Sequence, residues 1–123
     1  MAHILVADDE PAIRSVLQKW LGHAGYQVTL ADNGQTALVQ ARDLLPDLCI
    51  LDVQMPYMNG IQVAQRLRDD PRTAGIPLIA LSAQLNYIPD EVSSGLFDTL
   101  IAKPFDLLAL SADIGRLLQS GRS

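Results

Sequence analysis

Cysteine is almost missing from this chain. Cys49 is the only one in 123 residues, which excludes a disulfide framework, and its place inside the apolar run Leu48–Leu51 marks it as a packed core thiol. A lone buried thiol suits a reducing compartment, so a cytoplasmic location is expected. Positive charge is scarce as well: nine Lys and Arg stand against 14 Asp and Glu, giving a net charge of −5. Binding a nucleic-acid backbone relies on clustered Lys and Arg, so a direct nucleic-acid partner is not expected. No apolar run approaches the length of a membrane span, and Met1-Ala2-His3 does not open a charged and hydrophobic signal segment. Membrane insertion and export are therefore not expected. Low-complexity tracts, internal repeats and linkers are missing too.

What is there reads as one ordinary globular domain over residues 1–123, with 49% hydrophobic and 19% charged residues. Short aliphatic runs at His3–Ala7, Gln27–Leu30, Leu48–Leu51, Pro77–Leu81 and Thr99–Ala102 predict five strands. Helical spacing separates them. Ile13, Val16, Leu17, Trp20, Leu21 and Ala24 fall on one face, with Pro11 in the first turn. Ala37, Leu38, Ala41, Leu44 and Leu45 repeat the pattern, as do Ile61, Ala64 and Leu67, and then Leu107, Leu110, Ile114, Leu117 and Leu118. A fourth helix with a thin apolar face, Val92 and Leu96, is expected between Asn86 and Leu96, with Pro89 in its first turn.

Alternating strands and helices imply βαβ units, hence an α/β fold with a five-stranded parallel sheet between two helix layers. Four strands are almost wholly apolar, as suits strands covered on both faces, while Gln27-Val28-Thr29-Leu30 alternates and reads as an edge. An edge position for strand two fits the order 2-1-3-4-5 of a flavodoxin-like (βα)5 three-layer sandwich. The polar Gln119–Ser123 reads as a fraying tail.

Ligands of open α/β sheets bind beyond the carboxyl ends of the strands. Strand one ends in Asp8, Asp9 and Glu10, strand three in Asp52, strand four in Ser82 and strand five in Lys103-Pro104. Acidic groups from two strand ends make a site of hard oxygen ligands suited to Mg²⁺. Carboxylates so close repel one another and raise a pKa unless a cation or the Lys103 ammonium neutralises them. A shielded carboxylate can attack phosphorus, the cations can stabilise the transferring oxygens, and a hydroxyl such as Ser82 can bind one of them. Together these groups point to phosphoryl transfer more sharply than any one alone. Singly, Asp8 reads as a helix cap, and Ser82 could equally cap the fourth helix. Gly22, Gly25, Gly34 and Gly60 read as backbone solutions. His3 and His23 lack partners at ligand spacing, Trp20 reads as core, and Arg14, Arg66 and Arg68 as solvated helix faces.

Four motifs, in order and at matching spacing, carry a resemblance. Leu5-Val6-Ala7-Asp8-Asp9-Glu10, Leu51-Asp52-Val53-Gln54-Met55-Pro56-Tyr57-Met58-Asn59-Gly60, Leu81-Ser82-Ala83 and Lys103-Pro104-Phe105 resemble the response regulator receiver family, as does Ala31-Asp32-Asn33-Gly34 leading into Ala37-Leu38. The match runs nearly the whole chain. The resemblance implies that Asp52 is the phosphoacceptor. It makes Asp9, Asp52 and the Gln54 carbonyl ligands of Mg²⁺, with Asp8 holding the metal through water. Lys103, Ser82 and the backbone N–H groups of Val53 and Ala83 would contact the phosphoryl group. Gln54 and Gln84 occupy positions that tune phosphate lifetime in the family, and the Lys103–Pro104 bond is often cis there. Leu100 stands at the switch position where many members carry an aromatic residue; a leucine there can still report the state by packing, but it lacks the ring, and output would otherwise involve Tyr87 or Phe97.

The implied function is a signalling switch that takes phosphate from a histidine kinase or histidine phosphotransfer protein. It would act catalytically only on itself, and the face formed by the fourth helix, fifth strand and last helix would signal its state to a downstream target. The sequence does not name that target. A phosphorylation-independent receiver-like interaction domain is one alternative, but such domains typically lose an acidic residue or the Lys, and this chain has them all. A haloacid-dehalogenase-like phosphatase wants an Asp where Gln54 stands and a longer chain. A flavin or nucleotide binder wants a glycine-rich loop where Asp8 and Asp9 stand.

Overall fold

The computed structural model describes residues 1–83 and 95–120. The expectations for Gln84, Tyr87, Pro89 and Val92, and for the body of the fourth predicted helix, lie outside the described residues. The elements run β1 (His3–Ala7), α1 (Pro11–His23), β2 (Gln27–Ala31), α2 (Gly34–Leu44), β3 (Leu48–Asp52), α3 (Gly60–Asp69), β4 (Leu78–Ser82), β5 (Thr99–Ala102) and α4 (Leu107–Ser120). The strands pair in parallel in the order β2-β1-β3-β4-β5, as the sequence predicts. Predicted strand bounds hold to one residue.

Alternation along each strand divides the core in two. Leu5, Ala7, Cys49, Leu51, Leu78 and Ala80 turn to one face and pack against Ala37, Leu38 and Ala41 of α2 and Val63, Ala64 and Leu67 of α3. Ile4, Val6, Leu48, Ile50, Ile79 and Leu81 turn to the other, under Leu17 and Leu21 of α1 and Leu110, Ile114 and Leu117 of α4. The result is the expected three-layer sandwich. Cys49 is fully buried, and burial raises its thiol to about 12, which leaves it an inert core group. No helix among the described residues is long and apolar enough to cross a membrane.

Helix starts follow local rules. Pro11 opens α1 at a position where its missing N–H costs nothing. Asn33 Oδ1 accepts the Thr36 N–H at 2.8 Å at the start of α2, and Asn59 and Gln62 form a reciprocal capping box at the start of α3. Leu96, expected to face inward, packs against the α2/α3 side of the core beside buried Phe97.

Four expectations need correction. Trp20 is not core: it lies 36% exposed on the rim of α1, where its indole N–H donates to Ser111 Oγ of α4, and Val16 is exposed beside it. The apolar stripe of α1 is wider than the strip of sheet it covers. Leu44 and Leu45 are half exposed, because the chain leaves α2 at Leu45 in the left-handed region (φ 48°). β5 is not covered on both faces. As the outer strand opposite β2 it alternates half-buried and exposed residues, and Leu100 is 39% exposed.

Arg68 is the fourth correction, since it does not solvate a helix face. Its side chain is 10% exposed and donates to the carbonyls of Ala74 (2.8 Å), Ile76 (2.6 Å) and Leu96 (2.9 Å) and to the Asp98 carboxylate (3.2 Å). Arg14 is partly buried too and donates to the Asp8 carbonyl at 2.8 Å, whereas Arg66 is exposed as expected.

Candidate functional site at the carboxyl edge of the sheet

Register explains why residues far apart in sequence meet. Ala7 pairs with Leu51, so the next residues, Asp8 and Asp52, leave β1 and β3 side by side. Asp52 in turn pairs with Leu81, and Leu81 with Ile101. The ladder runs on past the strands, with Val53 N–H donating to the Leu81 carbonyl and Lys103 N–H to the Ser82 carbonyl, each at 2.9 Å. Asp8, Asp52 and Lys103 share the parity of Val6, Ile50 and Ile101, so alternation sends all three side chains toward the α1/α4 side.

There they form one ionic cluster. Lys103 Nζ lies 2.8 Å from Asp8 Oδ2, 3.1 Å from Glu10 Oε1 and 3.2 Å from Asp52 Oδ2. Asp8 is fully buried, with Oδ1 accepting the Glu10 N–H at 2.9 Å. Asp52 is 3% exposed, and its Oδ1 accepts the Gln54 N–H at 3.1 Å. Burial raises the Asp52 carboxyl to about 6; the Gln54 N–H and the Lys103 charge oppose the rise, and the Asp8 charge adds to it. Burial alone would lower the Lys103 ammonium, yet its bonds to Asp8 and Glu10 and the charges of Asp52 and Asp8 hold it above its ordinary value. Asp52 is thus ionised at neutral pH but close enough to its titration point to respond to a neighbouring charge.

One oxygen from each of Asp8, Asp9, Glu10 and Asp52 can be drawn within 4.8 Å of all the others, with Asp9 and Glu10 on the solvent side. An all-oxygen donor set with open positions fits a hard cation that keeps some of its water. Of the remaining predicted residues, Ser82 is buried at the end of β4 and Ala83 is exposed just beyond it. Gln54 is exposed beside Asp52. The Val53 N–H is engaged by Leu81. Leu100 sits on the outer strand β5, which leads directly into Lys103, and is exposed. The Lys103–Pro104 bond is cis. His3 bonds Thr29 at the opposite edge of the sheet and His23 is exposed at the end of α1, so neither joins the site.

Two glycines shape the loop that follows Asp52. A Cβ on Gly34 would stand 1.8 Å from the Met58 carbonyl oxygen, and one on Gly60 would stand 2.4 Å from the Asp52 carbonyl oxygen. Both are needed for close approach of backbone, not for an unusual φ. Sequence reasoning names Glu10 among the strand-end acids without a role of its own, and reads Arg14 as a solvated helix face. Glu10 adjoins the acidic pair and so carried a signal, whereas nothing in the sequence reveals that Arg14 grips the Asp8 carbonyl.

Comparison with known proteins agrees with this geometry. Residues 4–114 match the family model for the response regulator receiver domain. The chain is 41% identical over 122 residues to the DNA-binding dual master transcriptional regulator RpaA of Synechocystis, an alignment that covers 97% of this chain and 50% of that protein. It spans about half the length or less of the curated relatives it matches. Among solved structures, the response regulator TrrA of Thermotoga maritima, in complex with Mg²⁺ and BeF, superposes with a TM-score of 0.86 at 35% identity, covering 95% of this chain and 99% of that one. The receiver domain of a sensor histidine kinase from Pseudomonas aeruginosa, with a magnesium ion coordinated in its active-site cleft, gives 0.87 at 26% identity over 97% and 98% of the two chains. A chain with this strand order, this acidic edge and these matches belongs to the response regulator receiver domain family.

Proposed function

We propose that residues 1–123 form a single receiver domain that works as a Mg²⁺-dependent phosphoacceptor switch in the cytoplasm, with Asp52 as the acceptor. The observation that carries this reading is the contact of a buried, ionisable Asp52 with Lys103 beside Asp8 and Asp9. The donor would be a phosphohistidine of a histidine kinase or of a histidine phosphotransfer protein. As a P–O bond forms to an Asp52 carboxylate oxygen, the P–N bond of the donor breaks and the imidazole nitrogen keeps the electron pair.

Each neighbouring residue has a role in that step. Asp9, Asp52 and the Gln54 carbonyl would hold Mg²⁺ directly. Asp8, whose oxygens already serve Glu10 N–H and Lys103, would hold it through water. The bound metal supplies charge neutralisation for the transferring oxygens. Lys103 follows the phosphoryl group as its counter-charge, and Ser82 and the Ala83 N–H donate to its oxygens. For Val53 to do the same, its N–H must leave the Leu81 carbonyl. Gln54, and Gln84 two places after Ser82, would set the lifetime of the adduct by controlling the approach of water. The state would be read out through the face around β5 and α4 by a downstream protein.

The test is incubation with a small acyl-phosphate donor, with and without Mg²⁺, followed by intact mass measurement of wild type and Asp52→Asn. A Mg²⁺-dependent phosphoryl adduct that the variant lacks is expected. No adduct under any condition would favour an interaction domain that works without phosphorylation.

A further inference from the structure

Glu10 has no part in the reading above, although it touches the group on which that reading depends. It stands at the N-cap of α1 with extended backbone, yet its side chain makes no cap bond. It reaches instead to Lys103, 93 residues away, with Oε1 3.1 Å from Nζ. An ammonium has three N–H donors, and three carboxylates surround this one.

The three partners are not equally held. Asp8 is fully buried and lies at 2.8 Å, so losing the ammonium would strand its charge. Asp52 is the group to be modified. The Glu10 side chain is 59% exposed, so water can solvate its carboxylate as soon as Lys103 leaves. A phosphoryl group arriving at Asp52 needs a donor from Lys103, and Glu10 is the partner that gives one up at least cost.

We propose that Glu10 is a positioning residue that competes with the incoming phosphoryl group for Lys103, and thereby slows phosphoryl uptake. The inference rests on the phosphoacceptor reading and deepens it. Glu10 holds the ammonium in place while the acceptor is empty, and its negative charge opposes the approach of an anionic donor. Releasing an exposed ion pair of this kind changes the rate by only about two- to fivefold, which suits a tuning residue.

The experiment is the rate of adduct formation from a small acyl-phosphate donor, followed by intact mass across donor concentrations at saturating Mg²⁺, so that any change in cation affinity does not register. Wild type, Glu10→Gln and Glu10→Asp are compared, with thermal midpoints as a check on the fold. Glu10→Gln is expected to form adduct about two- to fivefold faster at low donor, through a lower half-saturation. Glu10→Asp keeps the charge but is one methylene too short to hold Nζ, and is expected to lie between wild type and Glu10→Gln. A Glu10→Gln rate equal to or below wild type overturns the proposal, as does a Glu10→Asp variant that matches wild type. If wild type itself forms no adduct at Asp52, the phosphoacceptor reading fails and this inference falls with it; adduct formation without the Glu10 effect removes this inference alone.

Discussion

Lys103 and Asp8 meet across the whole active half of the sheet: the ammonium at the end of β5 lies 2.8 Å from a fully buried carboxylate at the end of β1, two strands that β3 and β4 keep apart. Because neither side of this pair is well solvated, removing one partner leaves the other without compensation. Lys103→Met is expected to lower unfolding free energy by about 2–4 kcal/mol at pH 8. The remaining carboxylates can relieve their repulsion by taking up a proton, so the loss should shrink as the pH falls toward 5. Urea unfolding at the two pH values checks both the size and the trend. An equal loss at both would mean that Lys103 contributes by packing and not by charge.

Asp52 supplies the second prediction, through its raised pKa. Its carboxyl sits at about 6 in the folded chain against an ordinary 3.8, so between those values the native state binds the proton more tightly than the unfolded one. The Asp52 contribution to the stability of the metal-free protein therefore falls as pH rises from about 4 to about 6, and the full penalty remains above that window. Lys103 shifts the other way round: its contribution is complete below the ordinary lysine value and is lost only in strong alkali, so it adds no slope near neutrality. Asp52→Asn is expected to stabilise the metal-free protein by about 1–3 kcal/mol at pH 7 and to gain nothing at pH 4. Denaturant unfolding across pH 4–8 checks this, and a variant that gains equally at every pH refutes it.

The site was legible in the sequence where chemistry sits directly after an apolar run. Asp8, Asp52, Ser82 and Lys103 all follow that pattern, and the parallel register then delivers them to one edge. Topology was legible for a related reason: β2 alternates polar and apolar residues because it is an edge, and its pattern says so. β5, the other edge, hid behind an apolar sequence, since exposure of Leu100 leaves no mark in composition. Arginine was harder still. Arg66 and Arg68 look alike in the sequence, yet one is solvated and the other is gripped by three carbonyls, a difference set by where α3 meets the segments around Ala74 and Leu96. Trp20 erred in the opposite sense, because helical spacing gives the direction of a side chain and not the width of the surface beneath it.

Gly34 and Gly60 give a prediction that separates fold from site. Each opens a helix against backbone too close to admit a Cβ, so Ala at either position is expected to cost about 3 kcal/mol or more in unfolding free energy. The contacts differ. Gly34→Ala pushes on the Met58 carbonyl, in the loop after the acceptor, whereas Gly60→Ala pushes on the carbonyl of Asp52 itself. Adduct formation, measured where both variants remain folded, should therefore drop further in Gly60→Ala. Equal rates would show that the loop absorbs both displacements without moving the acceptor.

Arg68 offers the sharpest test of structural stability away from the site. Its guanidinium joins the end of α3 to the Ala74 and Ile76 carbonyls before β4 and to the Leu96 carbonyl and Asp98 carboxylate before β5. Asp98 Oδ2 also accepts the Leu78 N–H at 2.8 Å, so the ion pair fixes where β4 starts. Arg68→Ala is expected to cost about 3–5 kcal/mol, because it strands a mostly buried carboxylate as well as three carbonyls. Lys carries the charge without the planar fork and should recover less than half of the loss. Asp98→Asn retains an acceptor for the Leu78 N–H and should cost less than Arg68→Ala. A double-mutant cycle between the two positions then isolates the ion pair from the carbonyl contacts. A coupling energy near zero would assign the whole effect to the carbonyls, whereas a coupling of about 1–3 kcal/mol would make the charge pair the element that sets the register of β4 against β5.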